Sequence, residues 1–381
     1  MTKNPESPRV LSHPELVERI EGLVREEKHL EAVRLIRSIG DPSLVSEFHQ
    51  KLLNKARIIE HAVAELLSSP QEEWIKQGES HGRYDFTIYY KVEDGARLTC
   101  RIESPVPCSL LVPLLSVLNE SDLYSTWIPS WQTPIKLGVH ESNQLLHDSR
   151  GHQVIQVVAS VPWPMKPREA LFSVQAVDDI DTNGFIVATM TTIDDSEEGE
   201  TVKKTLPNDF DVPGPSLGTV RCDFNGSLLF RSCPLDHPNY DATRRKFPQD
   251  DLILLQFIMH IDAKMTMVPQ TMINFVTRTA LGIIWSMLLR VAEEVRDGGR
   301  EEHRRVISEK ADFYRWVEER CDYMLHTINT SSDADRNNDA TRGKAQRRQQ
   351  DHQEENHSVK SQNIEREKKP WTLQDVLRMN M

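Results

Sequence analysis

Long apolar runs are missing from this chain. No stretch approaches the roughly 20 consecutive apolar residues that cross a bilayer, and the longest candidate, 268–297, is interrupted by Gln270, Asn274, Thr277 and Arg278. Basic surplus is missing too. Lys and Arg total 46 against 58 Asp and Glu, a net charge of −12, so nucleic acid is not expected as a partner, since phosphate binding needs a cationic surface. Cysteine is scarce. Cys100, Cys108, Cys222, Cys233 and Cys321 have no metal-ligand spacing and cannot form a complete set of disulfides, which predicts reduced thiols. The N-terminal "MTKNPESPRVLSHPEL" has no apolar core of the kind a secretory signal carries. With no export signal, a cytoplasmic location is the expectation, and the N-x-S/T triplets at Asn119, Asn225 and Asn329 are chance matches.

Catalytic signatures are absent as well. There is no G-x-S-x-G elbow, no phosphate loop and no G-x-G-x-x-G fingerprint. "HESNQLLH" (140–147) begins like a zinc-protease motif, but its second histidine falls at i+7. Two strand residues seven apart point to opposite faces, which is wrong for a shared metal. Asp178, Asp179, Asp181, Asp194 and Asp195 sit at predicted strand ends, where solvated turn carboxylates are the natural reading. The basic cluster "RGKAQRRQQ" (342–350) is offset by nearby acids. No enzyme mechanism emerges, and no cofactor or metal is expected.

What is present has the texture of a soluble globular protein, 38% hydrophobic and 27% charged. Residues 13–68 read as an αα-hairpin. Leu16, Ile20, Leu23 and Val24, then Leu30, Val33 and Ile36, share a helical face. "GDP" (40–42) breaks the chain, and Ser43 is placed to cap a second helix. From 82 to about 265 the pattern turns to strands. "RYDFTIYYKV" and "RLTCRIES" flank a turn, and Leu98, Cys100 and Ile102 alternate with Arg97, Thr99, Arg101 and Glu103. A helical interlude, "PVPCSLLVPLLSVLNESDLYSTW", separates these from further strands near 135–147, 152–161, 168–179, 184–194, 217–232 and 251–264. So many antiparallel strands predict a strongly curved sheet or incomplete barrel.

One long helix follows, 268–297, ended by Gly298-Gly299. Met272, Val276, Thr279, Ile283 and Met287 fall along one face, and Ile273, Leu281, Ile284, Leu288 and Val295 on a neighbouring one. A helix apolar over so much of its circumference is largely enclosed. Residues 301–325 read as a charged helix with a thin stripe of Phe313, Trp316, Val317 and Tyr323, and 327–369 hold almost nothing to bury, which predicts disorder. The expected organisation is a helical extension (1–70), a main domain (71–299), a charged helix (300–326) and a mostly disordered tail (327–381). A sheet curved around an apolar helix encloses either a filled core or an elongated apolar pocket; periodicity alone does not separate them.

Three segments then occur in a telling order: "LNESDLYSTWIPSW" (118–131), "VPWPMKPREALF" (161–172) and "HIDAKMTMVPQTMINFVTRTALGIIWSMLLR" (260–290). Together they resemble the START (StAR-related lipid transfer) family over roughly 75–297. Trp127 and Pro129 match its W-x-P core. Pro162, Trp163, Pro164 and Arg168 match a PWP…RD turn, with Glu169 in place of Asp. Asp262, Lys264, Pro269 and Asn274 match the passage into the last helix, with Ala263 and Met265 in place of Pro and Gly. The resemblance implies an α+β helix-grip fold, in which a curved antiparallel sheet grips the C-terminal helix around a lipid tunnel. It implies a lipid ligand (phospholipid, sterol or related), transient contact with a membrane surface, and no enzyme activity. Tunnel candidates are Met272, Val276, Thr279, Ile283 and Met287, with Trp127. Tyr124, Trp127 and Trp131 are expected to anchor the helix-to-sheet corner. Arg101 and Glu103 share one face of their strand: a head-group site if that face lines the tunnel, a surface pair if it meets solvent. Two rivals stand beside this reading. One is a lipid-sensing scaffold that recruits a protein partner through the N-terminal helices or the C-terminal tail. The other is an enzyme of the wider helix-grip superfamily.

Overall fold

The computed structural model describes residues 13–39, 46–69, 74–92, 97–133, 136–161, 165–264 and 275–327. The tail from 328 onward, Pro162, Trp163, Pro164, Met265, Pro269, Met272 and Asn274 lie outside the described residues.

The strands are β1 (Ile75–His81), β2 (Asp85–Val92), β3 (Arg97–Pro107), β4 (Gly138–His147), β5 (His152–Ser160), β6 (Arg168–Asp179), β7 (Phe185–Thr192), β8 (Val220–Arg221), β9 (Asp223–Ser232) and β10 (Leu252–Asp262). They form one ten-stranded sheet in the order β1-β2-β3-β10-β9-β7-β6-β5-β4, with β8 added beside β6. Every neighbouring pair is antiparallel except β6 with β8. Both edge strands are irregular: β1 shifts register between Lys76 and Gly78, and β4 does so twice. The helices are α1 (His13–Arg25), α2 (His29–Arg37), α3 (Glu47–Leu67), α4 (Leu111–Asn119), α5 (Tyr124–Trp127), α6 (Ile180–Asn183), α7 (Glu197–Lys203), α8 (Tyr240–Lys246), α9 (Leu281–Arg296), α10 (Glu301–Glu309) and α11 (311–327). A π-helical turn, Val276–Ala280, leads into α9, and Gly298 at φ 73° ends it as expected.

Because side chains alternate along a strand, the sheet carries a separate apolar layer on each face. On the outer face α1, α2 and α3 bury Ile20, Val33, Ile36 and Ile59 against Val177, Val187, Leu229 and Ile258. The N-terminal helices are therefore packed on the sheet and share its core. The first arm of the hairpin is two helices, not one. Glu27 sits at φ 61°, and its carbonyl accepts from the Asp178 N–H at 3.0 Å. The C-terminal end of β6 thus stabilises a break that no Gly or Pro marks. Helix α3 begins after Ser46, whose hydroxyl accepts from His49 N–H at 3.3 Å while His49 Nδ1 accepts from Ser46 N–H, a reciprocal cap; Ser43 lies outside the described residues.

On the inner face α9 meets the sheet through Leu281, Trp285, Leu288, Leu289 and Ala292, all buried at helical spacing. Gly282 brings α9 close to β2: a Cβ there would stand 3.7 Å from Ile88. This is a helix-grip arrangement with a second, helical layer on its back.

Candidate functional site

The register fixes which side chains look inward. Val174 pairs with Met190, Met190 with Gly226, Gly226 with Met259, and Met259 with Cys100. The next row runs Ala176, Ala188, Leu228, Phe257 and Ile102. The two ends of these rows differ in burial. On β2, β3 and the start of β10, Phe86, Ile88, Cys100, Ile102, Ile253 and Leu255 are sealed under α9. On β6, β7 and β9, Val174, Ala176, Ile186, Ala188, Met190 and Phe224 are only half-buried, although these are interior strands; Ile186 and Phe224 stand one residue from a strand end. Their outward neighbours Val177, Val187 and Leu229 are fully buried. The inner face is therefore least covered along β6, β7 and β9, where an apolar groove would lie beside Leu115 and Leu118 of α4 and Ile284 and Met287 of α9, all packed against the inner cluster.

Gly226 helps hold that groove open. A Cβ there would stand 2.9 Å from the Ile258 carbonyl oxygen and 3.2 Å from Met190 Cε. Gly226→Ala is expected to lower stability by about 1–3 kcal/mol through overpacking, read as a lower urea midpoint at unchanged m-value.

The aromatic corner is built as expected. Trp127 is buried in the inner cluster and meets Tyr124 edge-on, with centroids 5.9 Å apart. Tyr124 Oη donates to the Leu118 carbonyl at 2.5 Å, closing the end of α4. Trp131 pairs with Leu137 as a short bridge and packs edge-on against Phe275 at 5.8 Å, joining the corner to the approach of α9. The indole N–H groups of Trp127 and Trp285 are buried without a hydrogen-bond partner among the described residues. Two of the motif segments meet: Arg168 Nε donates to the Ala263 carbonyl at 2.6 Å. Lys264 makes the turn at φ 50°, its N–H held by Asp262 Oδ1 at 2.8 Å.

The stripe proposed from sequence is not the one that meets the sheet. Val276 and Met287 pack against the inner cluster, while Thr279, in the π-helical turn, and Ile283, on α9, are half-buried. Arg101 requires a correction. It is 1% exposed, yet it faces outward, away from the groove. Its guanidinium donates to the Glu65 and Leu66 carbonyls at 3.1 and 2.9 Å, the last turn of α3, and to Glu103 Oε1 at 2.9 and 2.5 Å. Neither head-group site nor surface pair, it is a buried cap. Glu103 is driven up by burial but more strongly down by His237, Arg101 and Gln256, which hold it at about 2.

Two cysteines belong to the inner cluster. Burial pushes the Cys100 and Cys321 thiols up to about 12, so both stay protonated. Among the described residues no group of three or more His, Cys, Asp or Glu is placed to hold a metal. His152 does stand between Asp148 and Ser173, at 2.5 and 2.9 Å, in the order of a hydrolytic relay. That chain lies on the outer face, where Ser173 is 6% exposed and Lys55 of α3 bonds the neighbouring Gln175 at 2.9 Å; it ties β5 to β6. No described helix is long and apolar enough to cross a membrane.

Neither a protein-family model nor a curated protein sequence matches the chain. Among solved structures the chain is similar to human STARD10, with 12% identity over 68% of this chain and 85% of that one at a TM-score of 0.43. A bacterial STAR-related lipid transfer protein from Xanthomonas axonopodis has 16% identity, covering 58% and 99%, at a TM-score of 0.38. Human StAR-related lipid transfer protein 5 has 13% identity, covering 64% and 96%, at a TM-score of 0.44.

Proposed function

We propose that this chain binds one lipid in the groove between the β6–β7–β9 half of the sheet and helices α4 and α9, and carries or senses it without covalent chemistry. One observation carries the reading: apolar side chains on the inner face of three interior strands stay half-accessible while their outward neighbours are sealed. Apolar surface left open inside a fold is stabilised by a hydrocarbon guest at about 25 cal/mol per Å². Met287, half-buried on α9, would line the helical side.

The test is native mass spectrometry of the full chain after incubation with phosphatidylcholine–cholesterol vesicles. A stoichiometric lipid adduct is expected. Ala188→Phe, which fills the middle of the groove, is expected to lower the bound fraction about tenfold, equivalent to ~1.4 kcal/mol, with little change in melting temperature. A folded protein that takes up no lipid would sink the reading.

A further inference from the structure

We propose that α11, outside the segment that resembles a lipid-transfer domain, forms the end wall of the groove and sets how long a hydrocarbon chain it accepts. This rests on the lipid-binding reading above.

At the end of β6 and the start of β7 the groove runs into a partly open cavity of about 100 Å³, lined among others by Leu115, Ala176, Ile186, Trp316, Val317 and Cys321. Ala176 and Ile186 look inward beside Ala188, so the cavity continues the groove. Its far side is α11, whose Val317, Cys321 and Met324 are buried in the inner cluster. The helix is fixed around its rim. Tyr314 Oη donates to Glu120 Oε1, and Lys310 Nζ to Glu120 Oε2 at 2.7 Å. Arg320 bonds Asp178 at 2.5 and 3.1 Å and Asp181 at 3.1 Å, and the Arg150 guanidinium stacks 5.0 Å from the Trp316 ring.

These ties decide what the cavity takes. The Arg320 and Lys310 cations are already paired with carboxylates, Arg150 lies on an indole, and Glu27 and Asp178, which also border the cavity, would repel an anionic head group. The wall that α11 presents to the inner face of the sheet is Trp316, Val317 and Cys321. The cavity's volume matches roughly three units of water size, about 30 Å³ each, which admits the last methylenes of a flexible chain and excludes a fused ring system. The occupant is therefore an acyl chain, methyl end toward Val317 and Cys321, with the polar end at the opposite end of the groove.

The experiment offers the full chain vesicles containing dilauroyl-, dimyristoyl-, dipalmitoyl- and distearoyl-phosphatidylcholine in equal amounts with cholesterol, and identifies bound species by native mass spectrometry. Ala176→Leu fills the cavity from the sheet and Val317→Phe fills it from α11; both are expected to shift the bound population toward shorter chains, about fourfold per methylene displaced. Ile186→Ala is expected to shift it toward longer chains. Because Val317→Phe can undock α11, Ala176→Leu alone is sufficient, with melting temperature as the folding control. Folded variants with the wild-type chain-length profile, or uptake of cholesterol only, overturn the inference and leave lipid binding standing. Wild-type protein that takes up none of these lipids overturns both.

Discussion

Arg101→Met is expected to lower stability by about 3–5 kcal/mol, the cost of breaking a buried ion pair from one side, with a drop in melting temperature of roughly 10 °C. The side chain is enclosed between β3 and the end of α3, and it donates to the Glu65 and Leu66 carbonyls, which Ser68 and Gln256 also bond. Methionine fills much of the volume but donates nothing, so Glu103 keeps only Gln256, at 3.0 Å, and His237, at 3.7 Å. Gln256 also bonds the Leu66 carbonyl at 3.0 Å, so α3 loosens without detaching. The measurement is urea denaturation of Arg101→Met, Glu103→Leu and the double variant. The double is expected to lose clearly less than the sum of the singles, because each single strands a partner the other removes. Additive losses would show that the two side chains stabilise the fold independently.

Between pH 6.5 and 4 the N-terminal helices are expected to lose stability, on the order of 3 kcal/mol. His29 begins α2 and is 5% exposed, with Nδ1 3.8 Å from Glu27 Oε2. Burial, with help from Lys55 and His152, lowers its pKa from 6.5 to about 4. Above pH 6.5 the ring is neutral in both folded and unfolded chains, so it adds no pH dependence. Below 6.5 the unfolded chain takes up a proton that the native state refuses, and stability falls until the native ring titrates near 4. Glu27 acts in the opposite sense. Its pKa is raised by burial, so its contribution is lost as pH climbs above its ordinary 4.5. His29→Gln separates the two, since it removes the first slope and leaves the second. Urea midpoints taken stepwise from pH 7 to 4 on both proteins test it. Parallel profiles would assign the acid sensitivity elsewhere.

Much of the sheet was legible because its strands carry a two-residue period with apolar and polar faces. Strands β4, β5, β6, β7, β9 and β10 fall within a few residues of where the sequence places them. Strand β1, "IKQGESH", was not legible. As an edge strand it buries nothing, so it has no apolar rhythm. Helices α7 and α8 were not foreseen: α7 follows Asp194 and Asp195, whose carboxylates read as those of a turn, and α8 lies between two predicted strands. The position of the groove was only half legible. Leu281, Trp285, Leu288, Leu289 and Ala292 form one helical stripe, but α9 is apolar on two sides, and the sequence does not say which side the sheet takes. The Arg101–Glu103 spacing correctly places both on one face of β3. That the face is sealed by α3 depends on where a helix some forty residues earlier comes to rest. No local pattern carries that information.

The register breaks in the two edge strands bear on the behaviour of the molecule in a crowded solution. The backbone donors and acceptors at the margins of an open sheet are a template on which another chain can extend the ladder; on β4 one of them, the Gln144 N–H, is already taken by Asp122 Oδ1 at 2.6 Å. β1 is interrupted between Lys76 and Gly78, and β4 between Val139 and Glu141 and again between Gln144 and Leu146. Each break puts the edge out of step with an incoming straight strand after a few residues, since a bulge adds a residue on one side only and twists the edge away. The same bends also place Lys76, Glu79, Glu141 and His147 along the two rims. Geometry at both margins thereby works against sheet-to-sheet polymerisation, although the interior of the sheet is apolar on both faces.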